Sequence, residues 1–360
     1  MKTQQAPLPS TNRPKPVLFG TDWHTDCDDA VAVRVLAWAQ WKGLIHLRGV
    51  SIDSAMACSV SSMKAFLQEE QLADVPVALD HDAYDYGGSA AYQPRLAVGR
   101  DCEKENREAE DAVRMYRRLL AEAGSPVDLI EVGFAQVLAS LLLSAPDDLS
   151  PLSGEALVAS RVGRLWMMGG KWDSETIPEF NFSKTEKARQ AIRTVVEKCP
   201  IPITFLGFEV AADIPSGRIL NQCAWDDTLR TVLSDYGAAE GRPSWDPLLT
   251  YLACIGDAEQ VGFRCVRGTA SIDPESGCNR FTPDPNGSHS YVVKQQPDAT
   301  YRETLDALLF EYSKHLAETK SKKIRNQKRR KMDGKVQQSI QGRGDPAIVV
   351  FSPNLPSGSV

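Results

Sequence analysis

No pair of cysteines in this chain is spaced for a metal knuckle. The eight cysteines (Cys27, Cys58, Cys102, Cys199, Cys223, Cys254, Cys265, Cys278) are scattered, without a CxxC pair or a tight Cys/His cluster. That spacing argues against a structural zinc site and against a disulfide scaffold. Scattered thiols fit a reducing compartment, where they behave as small buried hydrophobes. Missing too is any apolar run near the roughly 18–20 residues that span a bilayer. The opening stretch MKTQQAPLPSTNRPKPV is polar and proline-rich, without the apolar core of a signal peptide. A cytoplasmic protein with no membrane partner is the expectation. Internal repeats are absent as well, which excludes solenoid architectures.

Excess positive charge is lacking over most of the chain. The net charge is −6, yet Lys320 to Lys335 hold nine Lys/Arg against Asp333, a local +8 that leaves −14 elsewhere. An acidic body is no nucleic-acid platform. Nucleic acid is therefore not the expected partner, the tail being the one segment able to meet it, and a solvated helix extension is the simpler reading of that run.

What is present is an alternation of short apolar runs and amphipathic stretches. Pro16–Phe19 is an apolar run ending in carboxylates, and Ala30–Ala39 has the length and alanine content of a helix. Ile45–Ile52 reads as a strand, followed by a helical stretch near Ser59–Gln71. Val127–Val132, Arg164–Met168 and Ile201–Leu206 read as buried strands. Ala109–Ala123, Lys187–Cys199 and Ser244–Ile255 read as helices. Phe263–Val293 is rich in turn formers and predicts antiparallel strands or loops, and Tyr301–Thr319 a closing helix. Strand–helix alternation predicts an α/β fold: one domain, a mostly parallel central sheet flanked by helices. Residues 1–15 are expected to form a disordered leader, 16–319 the domain, and 320–360 a basic, disordered tail.

The richest stretch is Asp22-Trp23-His24-Thr25-Asp26-Cys27-Asp28-Asp29, four carboxylates within eight residues where the first strand gives way to its helix. Functional crevices of open parallel sheets lie at the carboxyl ends of the strands. Four like charges there raise one another's pKa, and a hard divalent cation with oxygen ligands relieves the repulsion.

The pattern resembles the nucleoside hydrolases, whose first strand runs into Asp-x-Asp-x-Gly-x-Asp-Asp-Ala; this chain has Asp22, Asp28, Asp29 and Ala30 in that frame. The resemblance implies Asp28 as general base and Asp29 as a Ca2+ ligand. The family's middle Asp falls on His24 and its glycine on Asp26, so either Asp22 or Asp26 substitutes as a ligand, or the metal differs. Further on, Met168-Gly169-Gly170 followed by Glu179-Phe180-Asn181 resembles the family's Met-Gly-Gly turn and Glu-Phe-Asn motif. This implies ribose binding by Glu179 and Asn181, with Asp173 standing where an Asn contacts the sugar. Trp245-Asp246-Pro247 resembles the late helix start, which implies Asp246 as a ligand and Trp245 as a stacking platform for a purine-like base. Glu131 to Ala139 resembles the strand–turn–helix whose backbone carbonyl coordinates the ion, with Gln136 in that place. After the second strand, Met56 falls near the position of a sugar-binding Asn, with Asp53 and Ser54 as the candidates to compensate.

The implied activity is hydrolysis of an N-glycosidic bond of a ribonucleoside, with Ca2+ as cofactor, in a homodimer or homotetramer. Two other readings share these residues: a catalytically inactive nucleoside or sugar binder of the same fold, and a hydrolase of an unusual N-riboside. A phosphatase of the haloacid dehalogenase type needs a second Asp two residues after Asp22, where this chain has His24.

Overall fold

In the computed structural model, residues 13–24, 26–83 and 90–341 are described. The chain divides into two compact units, residues 1–314 and 315–360.

The first unit is built on one ten-stranded sheet. Its strands are β1 (Lys15–Thr21), β2 (Ile45–Ile52), β3 (Val77–Leu79), β4 (Glu110–Asp111), β5 (Val127–Glu131), β6 (Val162–Met168) and β7 (Ile203–Leu206). A two-stranded pair, β8 (Pro215–Ser216) and β9 (Arg242–Pro243), lies apart, and β10 (Phe263–Ile272), β11 (Asn279–Pro283) and β12 (His289–Lys294) complete the large sheet. The order is β11-β10-β12-β7-β6-β5-β1-β2-β3-β4. Within this sheet, among the described residues, parallel pairing runs from β4 through to β12, and only β10 pairs antiparallel, with β11 and β12. Strands 2 to 4 are laid down on one side of β1 and strands 5 to 7 on the other. The order reverses between β1 and β5, the kind of switch point at which a crevice opens beyond the strand ends.

Burial on both faces explains why the central strands read as continuous apolar runs. Val17, Leu18 and Phe19 in β1, and Leu165, Trp166 and Met167 in β6, are almost wholly buried. The helix after β1, Asp28–Trp41, is buried on nearly every side and packs on the helix Trp245–Ile255. Such a helix carries little amphipathic pattern, and its apolar length is what marks it. It also buries Arg34, whose guanidinium reaches Glu70 at 2.8 Å and Asp227 at 3.1 Å. Two carboxylates around one guanidinium satisfy an otherwise costly buried charge.

Three expectations need correction. Cys58 and Cys102 form a disulfide, although the spacing of the cysteines argued against any; the ground for a reducing compartment is thereby removed. Residues 320–341 are helical where a disordered tail was expected, in keeping with the reading of the basic run as a helix extension: the helix that opens at Asp298 runs to Gln341, and residues 342–360 lie outside the described residues. The expected leader ends in structure, since β1 begins at Lys15; its first twelve residues lie outside the described residues. Among the described residues, no helix is long and apolar enough to cross a membrane.

Candidate active site

The turn between β1 and the helix at Asp28 is held from both sides. Thr21 Oγ1 donates to the Asp29 carboxylate and accepts from the Trp23 N–H at 3.0 Å. Trp23 has φ +42°, a left-handed backbone that a bulky residue adopts only where its surroundings over-determine it. They do so here. Its indole N–H donates to Ser62 Oγ at 2.8 Å, its carbonyl accepts from Gln93 Nε2 at 2.6 Å, and its ring packs against Phe66 and Tyr92. Anchoring that indole fixes where the flanking carboxylates point.

Asp28 and Asp29 open the helix after β1, and Asp246 lies in the first turn of the helix Trp245–Ile255. Oxygen atoms of these three carboxyl groups lie within 4.8 Å of one another, and all three are buried. Helix N-termini favour negative charge there. Burial is the larger effect: it holds Asp28 and Asp246 well above the usual carboxylate range, with repulsion from Asp26 and Asp29 adding to it at Asp28 and repulsion from Asp28 and Asp29 at Asp246. Asp29 is pushed up to about 7 by burial, against the hydrogen bond from Thr21. Asp22, at the end of β1, is raised by burial and by the neighbouring Asp29 and Asp53, and accepts from the His24 N–H at 3.1 Å. Behind them, Asp53 accepts from Phe134 N at 2.7 Å and Glu131 from Gly133 N at 3.0 Å.

Asp22, Asp28, Asp29 and Asp246 line a cavity of about 310 Å³. One wall holds Glu179 and Asn181. Glu179 caps the short helix Phe180–Ser183, accepting from Asn181 N at 2.9 Å, Phe182 N at 3.3 Å and Gly170 N at 3.1 Å. Three amides fix the carboxylate and leave acceptor capacity facing the cavity. Burial pushes Glu179 up to about 7. Asn181 donates to the Val132 carbonyl at 2.9 Å. Aromatic rings line the same cavity: Trp245 stacks on Phe208 with ring centroids 5.1 Å apart, and Tyr236 and Phe180 line it too.

Of the residues singled out from sequence, Asp22, His24, Asp26, Asp28, Asp29, Glu179, Asn181, Trp245 and Asp246 all line this cavity. Asp26 is turned away from the three-carboxylate cluster into an ion pair with Arg242 at 2.9 Å. Gln136 and Asp173 are not in the cavity wall. Gln136 is buried with its amide donating to the Asp53 carbonyl at 2.8 Å, and Asp173 is exposed and paired with Lys171. Met56 is buried away from the cavity, as are Asp53 and Ser54. Reading the sequence missed Arg242, Tyr236 and Phe208. Each joins the cavity wall only through the tertiary fold, and the one local signal was the closeness of Arg242 to Trp245.

Solved structures share this architecture. The inosine-uridine preferring nucleoside hydrolase from Bacillus anthracis superposes with a TM-score of 0.60 at 16% identity, over 84% of this chain and 99% of that one. A purine-preferring ribonucleoside hydrolase from Gardnerella vaginalis gives 0.62 at 16%, over 83% and 99%. The type III effector protein XopQ, solved in complex with adenosine diphosphate ribose, gives 0.62 at 16%, over 84% and 95%. No protein-family profile matches the chain, and no curated protein sequence does. The chain has the fold of the nucleoside hydrolases.

Proposed function

We propose that the protein hydrolyses the N-glycosidic bond of a ribonucleoside, purine-like bases preferred, with Asp28 as general base. The observation that carries this reading is the convergence of Asp28, Asp29 and Asp246, buried and within 4.8 Å, at the switch point of a nucleoside hydrolase fold.

An all-oxygen donor set suits a hard cation. Arg242, the one Lys or Arg side chain in the wall among the described residues, is already committed to Asp26. We therefore assign Asp29, Asp246 and Asp22 to hold Ca2+, preferring Asp22 to Asp26 because Asp26 faces Arg242. When bound, the ion neutralises the cluster and polarises the attacking water.

Cleavage passes through an oxocarbenium-like sugar, and an anionic floor stabilises that developing positive charge. Asp28 accepts a proton from the water on the face opposite the base. Glu179 and Asn181 hold ribose hydroxyls, and the Trp245–Phe208 stack receives the base.

The test is a panel of purine and pyrimidine ribonucleosides with and without Ca2+, assaying free base and ribose, with Asp28→Ala alongside. Calcium-dependent release by the wild type and none by the variant is expected. No release from any nucleoside sinks the reading. One observation favours a second reading, a ribosyl binder without turnover: a protein of this fold was solved with adenosine diphosphate ribose. Tight binding of that compound in calorimetry, with no product formed from any nucleoside, would establish it instead.

A further inference from the structure

Cleaving a neutral nucleoside places the bonding electron pair on the ring nitrogen of the base, and an anionic heterocycle departs slowly without a donor. Trp245 cannot serve as that donor. Its only side-chain N–H, that of the indole, is given to the Phe208 carbonyl at 2.9 Å. Beside it stands Arg242. Asp26 accepts from Arg242 Nε at 2.9 Å and from Nη2 as well, a bidentate fork that fixes the guanidinium plane. Among the described residues Nη1 has no hydrogen-bond partner, which leaves its two N–H groups uncommitted to any of them. The guanidinium carbon lies 5.3 Å from the Trp245 ring centre and 5.4 Å from that of Tyr236. Arg242, Asp26, Trp245 and Tyr236 all line the cavity. Uncommitted cationic donors thus sit at its aromatic end, against the ring assigned to receive the base.

We propose that Arg242, oriented by Asp26, is the hydrogen-bond donor that receives the departing base. The proposal rests on the reading of the protein as an N-riboside hydrolase. As the water oxygen bonds to C1′, its proton passes to Asp28. The C1′–N electron pair moves onto the heterocycle, whose developing charge is met by Nη1. Guanidinium keeps its own protons. The base then takes a proton from solvent water, and Asp28 returns one to solvent, so the balance closes without another reactant. Asp26 is a positioning residue in this scheme, and it stands where the resemblance places a glycine.

Two substrates separate this role from a structural one. The base of guanosine leaves as an anion and needs a donor, whereas the base of 7-methylguanosine leaves neutral and does not. For the full chain in Ca2+, Arg242→Gln should lower kcat on guanosine by about 100-fold, in the range of a lost acid or charge-stabilising group. Turnover of 7-methylguanosine should be nearly unchanged. Asp26→Asn should shift the same ratio in the same direction by less. The ratio of the two substrates does not depend on the fraction of variant that folds. Equal losses on both substrates would overturn the proposal. If the wild type releases base from neither, the hydrolase reading itself fails and takes this inference with it.

Discussion

The backbone N–H of Asp246 donates to Oδ2 of Asp28 at 3.4 Å, joining the first turns of two helices 218 residues apart in sequence. The second helix thereby sets the position of the proposed base while its own side chain completes the three-carboxylate cluster. Asp246→Asn keeps that amide and the side-chain shape but removes one buried negative charge. Calcium affinity should fall at least about tenfold, as expected when a metal shell is disturbed. Melting in chelator should move the other way, to higher temperature, because one like-charge repulsion is gone. Calorimetric calcium titration and scanning calorimetry test both halves; unchanged calcium affinity would remove Asp246 from the shell.

Burial pushes Asp29, Glu131 and Glu179 each up to about 7, which fixes a sign for the pH dependence of stability. In the unfolded chain such groups titrate near about 4. Between about pH 4 and about pH 7 the folded state therefore binds more protons than the unfolded one, and stability falls as pH rises across that window. Under the proposed assignment, calcium reverses the trend. Its uptake needs Asp29 ionised, so binding releases protons and strengthens toward about pH 7. Melting temperatures from about pH 5 to about pH 7 should fall in chelator and rise in excess calcium. Parallel curves in the two conditions would contradict the assignment.

A Cβ at Gly133 would lie 2.6 Å from the Asp22 backbone nitrogen and 2.6 Å from Asp53 Oδ1. The first of these is backbone and cannot step aside, so Gly133→Ala has to push the end of β1 away from β5. Overpacking of this kind costs about 1–3 kcal/mol. The displacement falls on Asp22, so weaker calcium binding should accompany the lower melting temperature. Gly124→Ala, where nothing lies within 4 Å, is the matched control. Normal calcium binding in the Gly133 variant would argue that Asp22 is not a ligand.

Much of this site was legible because its parts are local. Asp28 and Asp29 lie where an apolar run meets a helix, and Glu179, Asn181, Trp245 and Asp246 each belong to a short run of recognisable order. The sheet could be read for a similar reason, since its central strands are buried on both faces and stand out as unbroken apolar runs. What could not be read depends on distance. Arg242 reaches Asp26 across 216 residues. Only that ion pair shows that the second of the two candidate ligands faces elsewhere. Glu179 illustrates a different limit: the carboxylate that caps Phe180–Ser183 also lines the cavity, so one side chain serves the helix and the site at once. The strands β3 and β4, of three and two residues, are too short to carry a period.

Partnership between Cys58 and Cys102 also lay beyond sequence, since scattered cysteines do not declare their connectivity. Cys58 caps the helix Ser59–Glu69, whose Ser62 anchors the Trp23 indole, and Cys102 opens the helix Cys102–Arg107. Asn106 of that second helix runs alongside the bond, donating to the Met56 carbonyl at 2.7 Å and accepting from Val60 N at 3.1 Å. Closing a sequence separation of 44 removes chain entropy from the unfolded state. Paired substitution, Cys58→Ser with Cys102→Ser, should therefore cost about 2–4 kcal/mol of stability. Alkylation of the denatured, unreduced protein should label six thiols, rising to all eight after reduction. Eight labelled thiols before reduction would show that the pair is not bonded. In that case the two serines should cost little, since the Asn106 hydrogen bonds alone would hold the segment.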